Sequence, residues 1–283
     1  MRILTYVFET SLDFSEDVSD HSFVLRCLPK TTSTQIVMQA QVYTDPRTTL
    51  AEQTDGFGNR IASGYSHYPH GQFNFYANGL VMADPEAARP EAAHPISRTF
   101  TNLTRPAEAM GALAMRELAA AGGRDALSTP EGTRVIAQRL CGVVHELFSY
   151  EKGETTTRTT ALEAFEIGKG VCQDYSHVLI SLLRAIGIPA RYVTGLLVGV
   201  GASHAWVEAH DGVMWWGLDP THDSIVDDRY LVFCTGRDFE DCPIERGVFR
   251  GQATQTQTVS AALSDEASAV ELEAAMRRIG TAL

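Results

Sequence analysis

The stretch Lys169-Gly170-Val171-Cys172-Gln173-Asp174-Tyr175-Ser176-His177 places a cysteine directly before an apolar run with helical period. Tyr175, Val178, Leu179, Leu182, Leu183 and Ile186 fall at i, i+3, i+4, i+7, i+8 and i+11, one face of an α-helix. Gly187 and Pro189 then stop the helix. Cys172 is therefore expected at a helix N-terminus, where unpaired backbone N–H groups and the positive end of the helix dipole favour thiolate over thiol. A lone cysteine is more often a small buried core residue. The stretch carries chemistry only if the chain brings it a base.

Downstream, Asp211-Gly212 is a strong signal for a two-residue hairpin turn. With that pair as the loop, His210 faces Val213, facing numbers add to 423, and His204 faces Asp219. Directly opposed residues share one face with Cβ atoms about 5 Å apart, close enough for a carboxylate to accept a hydrogen bond from an imidazole. The same face carries Trp206, Glu208, Trp215 and Gly217, which points to a covered surface. His204 lies 32 residues after Cys172 (204 − 172), across one helix, one strand and a turn. A helix-start cysteine, a histidine within reach and an aspartate to orient it make a nucleophile–base–orienter set. Two other readings stand beside it: a cross-strand His–Asp pair that only sets register, and three ligands of a catalytic zinc. The apolar stripe behind Cys172 favours the nucleophile over the zinc ligand.

Four blocks together resemble the transglutaminase-like superfamily. They are Gly170-Val171-Cys172-Gln173-Asp174-Tyr175-Ser176-His177, Gly187-Ile188-Pro189-Ala190-Arg191-Tyr192-Val193-Thr194-Gly195, Ser203-His204-Ala205-Trp206-Val207-Glu208 and Leu218-Asp219-Pro220-Thr221. Their order and spacing are similar to those of the bacterial transglutaminase-like cysteine proteases, and the resemblance covers about residues 145 to 235 around them. Asp55-Gly56-Phe57-Gly58-Asn59 resembles part of the β domain that precedes the core in those proteins, and Arg246-Gly247-Val248-Phe249-Arg250-Gly251 resembles their closing segment. The resemblance implies a papain-like α+β core, a helix-borne cysteine packed on an antiparallel sheet that carries the histidine and aspartate. It also implies Cys172 as nucleophile, His204 as general base and then acid, and Asp219 as the residue that orients His204.

The rest of the chain fits two domains. Residues 1–83 read as a small antiparallel β-sandwich, with strand-like runs at Ile3–Phe8, His21–Leu28 and Thr34–Tyr43 and further strands around Phe73 and Val81. His67 and His70 read as surface histidines of a loop rather than metal ligands, because no other ligand type clusters beside them. Residues 84–106, with four prolines, read as a linker. Residues 107–263 read as the catalytic domain, with helices over 106–121 and 130–148 and strands at 190–198, 203–210, 213–219, 230–235 and 252–263. Residues 264–283 read as a helical tail capped by Ser264. Tyr150, Tyr175 and Trp206 are candidates for lining a substrate cleft.

Composition narrows the function. The 23 Lys and Arg against 35 Asp and Glu give a net charge of −12, which argues against nucleic acid or an anionic membrane as the partner. Five scattered cysteines without a CxxC pair are neither a disulfide framework nor a structural zinc site, and they favour a reducing, cytoplasmic setting. The N-terminus does not read as a signal peptide, and no apolar run is long enough for a membrane span. The expected chemistry is cysteine-dependent acyl transfer on an amide or peptide bond through a thioester, with no metal or organic cofactor. Hydrolysis is the leading outcome, as in a peptidase or amidase. Protein-glutamine crosslinking is the alternative, and a non-catalytic binding or scaffold module on the same fold is the alternative of another class.

Overall fold

The computed structural model describes residues 1–265; the expected tail helix from Glu266 onward lies outside the described residues. The N-terminal part is all β. It comprises β1 (Arg2–Leu25), β2 (Gln35–Asp45), β3 (Ala51–Thr54), β4 (Arg60–Ser66) and β5 (His70–Ala83). The two runs read as separate strands at Ile3 and His21 are one 24-residue strand. Its first half, Arg2–Asp13, pairs with β5, while His21–Leu25 pairs with β4 on the other layer. The pairing register breaks between Asp13 and Val18, which lets one strand serve both layers. Between the layers sit Phe8, Phe23, Phe73 and Phe75, all fully buried.

Three helices then precede the cysteine helix: α1 (Glu108–Ala120), α2 (Pro130–Leu147) and α3 (Ala161–Ile167). Short strands β6 (Ser149–Tyr150) and β7 (Lys169–Gly170) pair in parallel on either side of α3. Helix α4 (Cys172–Ala185) follows. The apolar face expected from its period is buried, but so are Ser176, His177, Ser181 and Arg184. The helix is central, enclosed by α1, α2 and α3 and by the sheet. At its far end the Arg184 guanidinium donates to the carbonyls of Ser97, Ala190 and Arg237 and to Thr104 Oγ1. That clamp straps down residues 84–106, which carry two short 3₁₀ turns at Pro85–Ala87 and Pro95–Arg98.

The second sheet is antiparallel, in the order β12-β11-β10-β8-β13. Its strands are β8 (Ala190–Leu197), β10 (His204–His210), β11 (Trp215–Asp219), β12 (Ser224–Ile225) and β13 (Tyr230–Gly236). Between β8 and β10, Gly199–Gly201 forms the short strand β9 where a turn was expected. A Cβ on Gly195 of β8 would lie 1.9 Å from the Leu231 carbonyl oxygen and 2.6 Å from the Trp206 ring. Gly195→Ala is therefore expected to cost about 2–3 kcal/mol, by forcing β8 away from β13. Urea unfolding checks this, and a cost below about 0.5 kcal/mol would refute the close approach.

The N-terminal sheet is not built from residues 1–83 alone. β14 (Glu245–Arg250) and β15 (Gln255–Asp265) both pair with β1, and β9 pairs with β15. The strand expected at 252–263 thus belongs to the first sheet. It extends through Ser264, which sits opposite Thr5 and not at a helix cap. The reason is burial: Ala261, Ala262 and Leu263 gain a partner surface on β1 that no local pattern specifies. His70 also departs from the surface reading. It lies opposite Val18, is buried, and its Nε2 sits 3.2 Å from His21 Nδ1 within a cluster of phenylalanine rings. The turn Asp55–Asn59 joins the two halves: Asn59 accepts from the Thr235 amide at 2.8 Å and donates to the Thr235 carbonyl at 2.9 Å. Among the described residues no helix is long and apolar enough to cross a membrane.

Candidate active site

The turn before α4 is tight for a reason. Asp174, in the first turn, accepts from the Val171 amide at 2.8 Å and from Thr155 Oγ1 at 2.7 Å. A Cβ on Gly170 would meet that carboxylate at 2.4 Å, so glycine lets the chain pass under it. The result sets Cys172 at the first helical position, partly buried, with the helix N-terminus behind it.

The hairpin that supplies the histidine differs from the expected register. Pairs run Val207↔Leu218, Glu208↔Gly217, Ala209↔Trp216 and His210↔Trp215, so facing numbers add to 425 (207 + 218) instead of 423. The loop is four residues, shifted by one position toward the C-terminus. Asp211 causes the shift: its Oδ1 accepts from the Val213 and Met214 amides at 2.8 Å each, and its Oδ2 pairs with Arg134 of α2 at 2.6 Å. A slip of two keeps every side chain on its face. His204 and Asp219 therefore become diagonal neighbours on the same face, and they still meet: His204 Nε2 lies 2.7 Å from Asp219 Oδ2.

Asp219 is fully buried and heavily solvated by the protein. Its Oδ2 is also 2.7 Å from His222 Nδ1 and accepts from Tyr230 Oη at 2.9 Å, while Oδ1 accepts from the Thr221 amide at 2.9 Å. Burial opposes its charge, but the hydrogen bonds from His204 and His222 prevail and hold its pKa at about 2. Burial likewise opposes charge on His204. Hydrogen bonds with Asp219 and with Cys172 outweigh it and lift the imidazole to about 10. His204 thus hydrogen-bonds Asp219 and interacts electrostatically with Cys172, which places the three groups around one ring.

Of the three candidate cleft residues, Tyr150 lines a cleft of about 270 Å³ beside His204, together with Lys152, Leu196, Val200 and Ser203. Tyr175 and Trp206 do not reach it. Tyr175 is buried against Phe148, with ring centres 4.8 Å apart, and Trp206 is fully enclosed. Their size made them core, and Trp206 instead backs the His204 ring, with centres 6.1 Å apart. Sequence reasoning missed His222 and Tyr230. His222 was readable as the residue three after Asp219; Tyr230 arrives from β13, and no local spacing announces it. The ligand atoms of His204, Asp219 and His222 lie within 4.8 Å of one another, so among the described residues this group could hold a metal ion.

The two shifted groups fix a pH window. The raised His204 contributes stability in full below its unfolded value of 6.5 and loses it as pH rises through about 10. The depressed Asp219 contributes in full above 3.8 and loses it as pH falls through about 2. The stability difference between the protein and its His204→Gln variant should therefore be flat between about pH 4 and 6.5 and shrink steadily toward pH 10. Urea midpoints across that range check it; a difference that grows above pH 7 would contradict the pairing.

Known proteins resemble this arrangement in sequence and fold. The Transglutaminase-like superfamily profile matches residues 124–220, and the Bacterial transglutaminase-like N-terminal region matches residues 4–82. An uncharacterized protein of Mycobacterium tuberculosis is 34% identical over 229 residues, covering 69% of this chain and 70% of that protein. A Pseudomonas aeruginosa protein-glutamine gamma-glutamyltransferase is 31% identical over 188 residues, covering 60% of this chain but 27% of that protein. A crystal structure of a candidate cysteine protease from Cytophaga hutchinsonii superposes with a TM-score of 0.74 at 18% identity, covering 94% of this chain and 92% of that one.

Proposed function

The chain belongs to the transglutaminase-like superfamily, and from that premise we propose that it is a cysteine-dependent acyl-transfer enzyme whose usual acceptor is water. One observation carries the reading: His204 is hydrogen-bonded to a fully buried aspartate that accepts four hydrogen bonds, and a helix-start cysteine lies close enough to share in raising its pKa. In this scheme Cys172 Sγ attacks the carbonyl carbon of an amide or peptide bond. His204 gives its proton to the departing amine nitrogen, and a thioester remains. Water then attacks the thioester carbon, His204 takes its proton, and the carboxylic acid leaves with the thiolate restored. Asp219 fixes the ring and stabilises its cation throughout. The Cys172 backbone N–H, at the helix start, serves as one oxyanion donor. Five free thiols, four of them buried, fit a reducing cytoplasmic setting, and the cleft beside His204 is where a peptide or protein amide would lie.

Crosslinking is the second reading, favoured by the likeness to the Pseudomonas gamma-glutamyltransferase. The two differ in what reaches the thioester. Incubation with a glutamine-containing peptide library, with and without a primary amine, separates them by mass spectrometry. Hydrolysis products without amine are the expected result. Amine adducts with no hydrolysis would overturn the hydrolase reading.

A further inference from the structure

A second cavity, of about 250 Å³, lies where the N-terminal part, the strapped segment 84–106 and the second sheet meet. It is separate from the cysteine site. Its wall includes Glu208, four residues along β10 from His204 and so about 13 Å away, with buried Trp206 between them. Three cations line it: Lys30, Arg89 and Arg191. Two carboxylates do so too, Glu91 and Glu208. Both carboxylates are spent on Arg191, whose Nε is 2.6 Å from Glu208 and whose Nη1 is 3.4 Å from Glu91.

The other two cations meet neutral oxygens. Lys30 Nζ donates to Thr235 Oγ1 at 2.6 Å and Asn59 Oδ1 at 3.0 Å, with a long contact to the Phe57 carbonyl at 3.4 Å. Arg89 Nη1 donates to the carbonyls of Ala87 and Ala88. Lys30 is only 8% exposed. An ammonium that deep, without a carboxylate, is costly, and burial together with the nearby Arg191 charge pulls its pKa below the ordinary lysine value. The cavity wall therefore carries one positive charge in excess (3 − 2), within a chain whose net charge is −12. The rim is set with hydroxyls from Thr31 to Thr34, and the floor is stiffened by Arg191 stacked on Trp215 at 4.2 Å.

We propose that this seam cavity binds a small solute through a carboxylate or phosphate group, held between Lys30 and Arg89 and tying the two halves of the molecule together. The oxyanion takes the place of the long Phe57 contact on Lys30 and receives the Arg89 guanidinium as a charge-assisted donor. Binding is independent of whether Cys172 is a catalyst.

The test titrates inorganic phosphate and, separately, succinate against the full chain at constant ionic strength, reading melting temperature and tryptophan fluorescence. A saturable rise in melting temperature with one of the two is expected, and which one responds names the group. Arg89→Ala, at an exposed position, should keep the fold and weaken the apparent affinity about tenfold, the loss of one charge-assisted contact. Lys30→Met should remove the saturable response; where that variant fails to fold, Arg89→Glu replaces it and should do the same. No saturable response to either anion, or a response unchanged in Arg89→Ala, would overturn the proposal.

Discussion

Cys172→Ala should leave a folded protein that takes up no iodoacetamide at pH 6, while the unaltered protein takes up one equivalent. The other four cysteines are buried. Burial pushes Cys27 up to about 12 and raises Cys141 and Cys242 as well, so these three thiols are both inaccessible and protonated at that pH. Cys172 is the partly exposed one, beside an imidazole that Asp219 holds in its charged form. Turnover of any amide substrate should fall by about 10⁴-fold or more, because losing the nucleophile ends the thioester route. The fold cost should stay under about 1 kcal/mol, since one sulfur is lost from a half-buried position at a helix start. Intact-mass analysis reads the labelling, and a label still entering Cys172→Ala stoichiometrically would refute the assignment. His204→Gln makes the complementary case: the thiol is kept, and its labelling at pH 6 should slow. Equal rates would mean that Cys172 is an ordinary accessible thiol, as in a binding module on the same fold.

The helix that carries Cys172 was legible because its period and its stop at Gly187 and Pro189 are both local. The His–Asp pair was legible only to the level of parity. Asp211-Gly212 announces a hairpin, but the loop position depends on Arg134, 77 residues away, which pairs with the Asp211 carboxylate and leaves it to cap two amides. The slip of two preserved the shared face, and so the pairing survived a wrong register. What local pattern could not supply was partnership at long range. β15 returns across most of the chain to pair with β1, and Tyr230 reaches Asp219 from a strand two removed from β11 in sequence. Aromatic residues misled in the opposite sense: Tyr175 and Trp206 sit near the site by number but serve it as packing.

Asp219→Ala should be the most damaging single change in the second sheet. Four donors converge on this carboxylate: the His204 and His222 rings, the Tyr230 hydroxyl and the Thr221 amide. Alanine leaves Tyr230 and His204 with buried donors and no acceptor, which costs about 3 kcal/mol or more. The charge matters separately from the hydrogen bonds. Without it, burial of the His204 ring prevails and its pKa drops, so the imidazole no longer enters the reaction as a cation. Activity should fall about 10³-fold, through kcat rather than KM, since Asp219 is fully buried and acts through His204. Asp219→Asn divides the two effects. It keeps an acceptor for His204 and the Thr221 amide, so most of the stability should return, while the charge stays absent and Cys172 labelling slows. Urea unfolding at pH 6 and alkylation rates from pH 5 to 9 read the two halves. If Asp219→Asn labels with the unaltered profile, the carboxylate serves the fold alone and its role in stabilising the His204 cation fails. If Asp219→Ala costs less than about 1 kcal/mol, the fourfold convergence is not what holds this face of the sheet together.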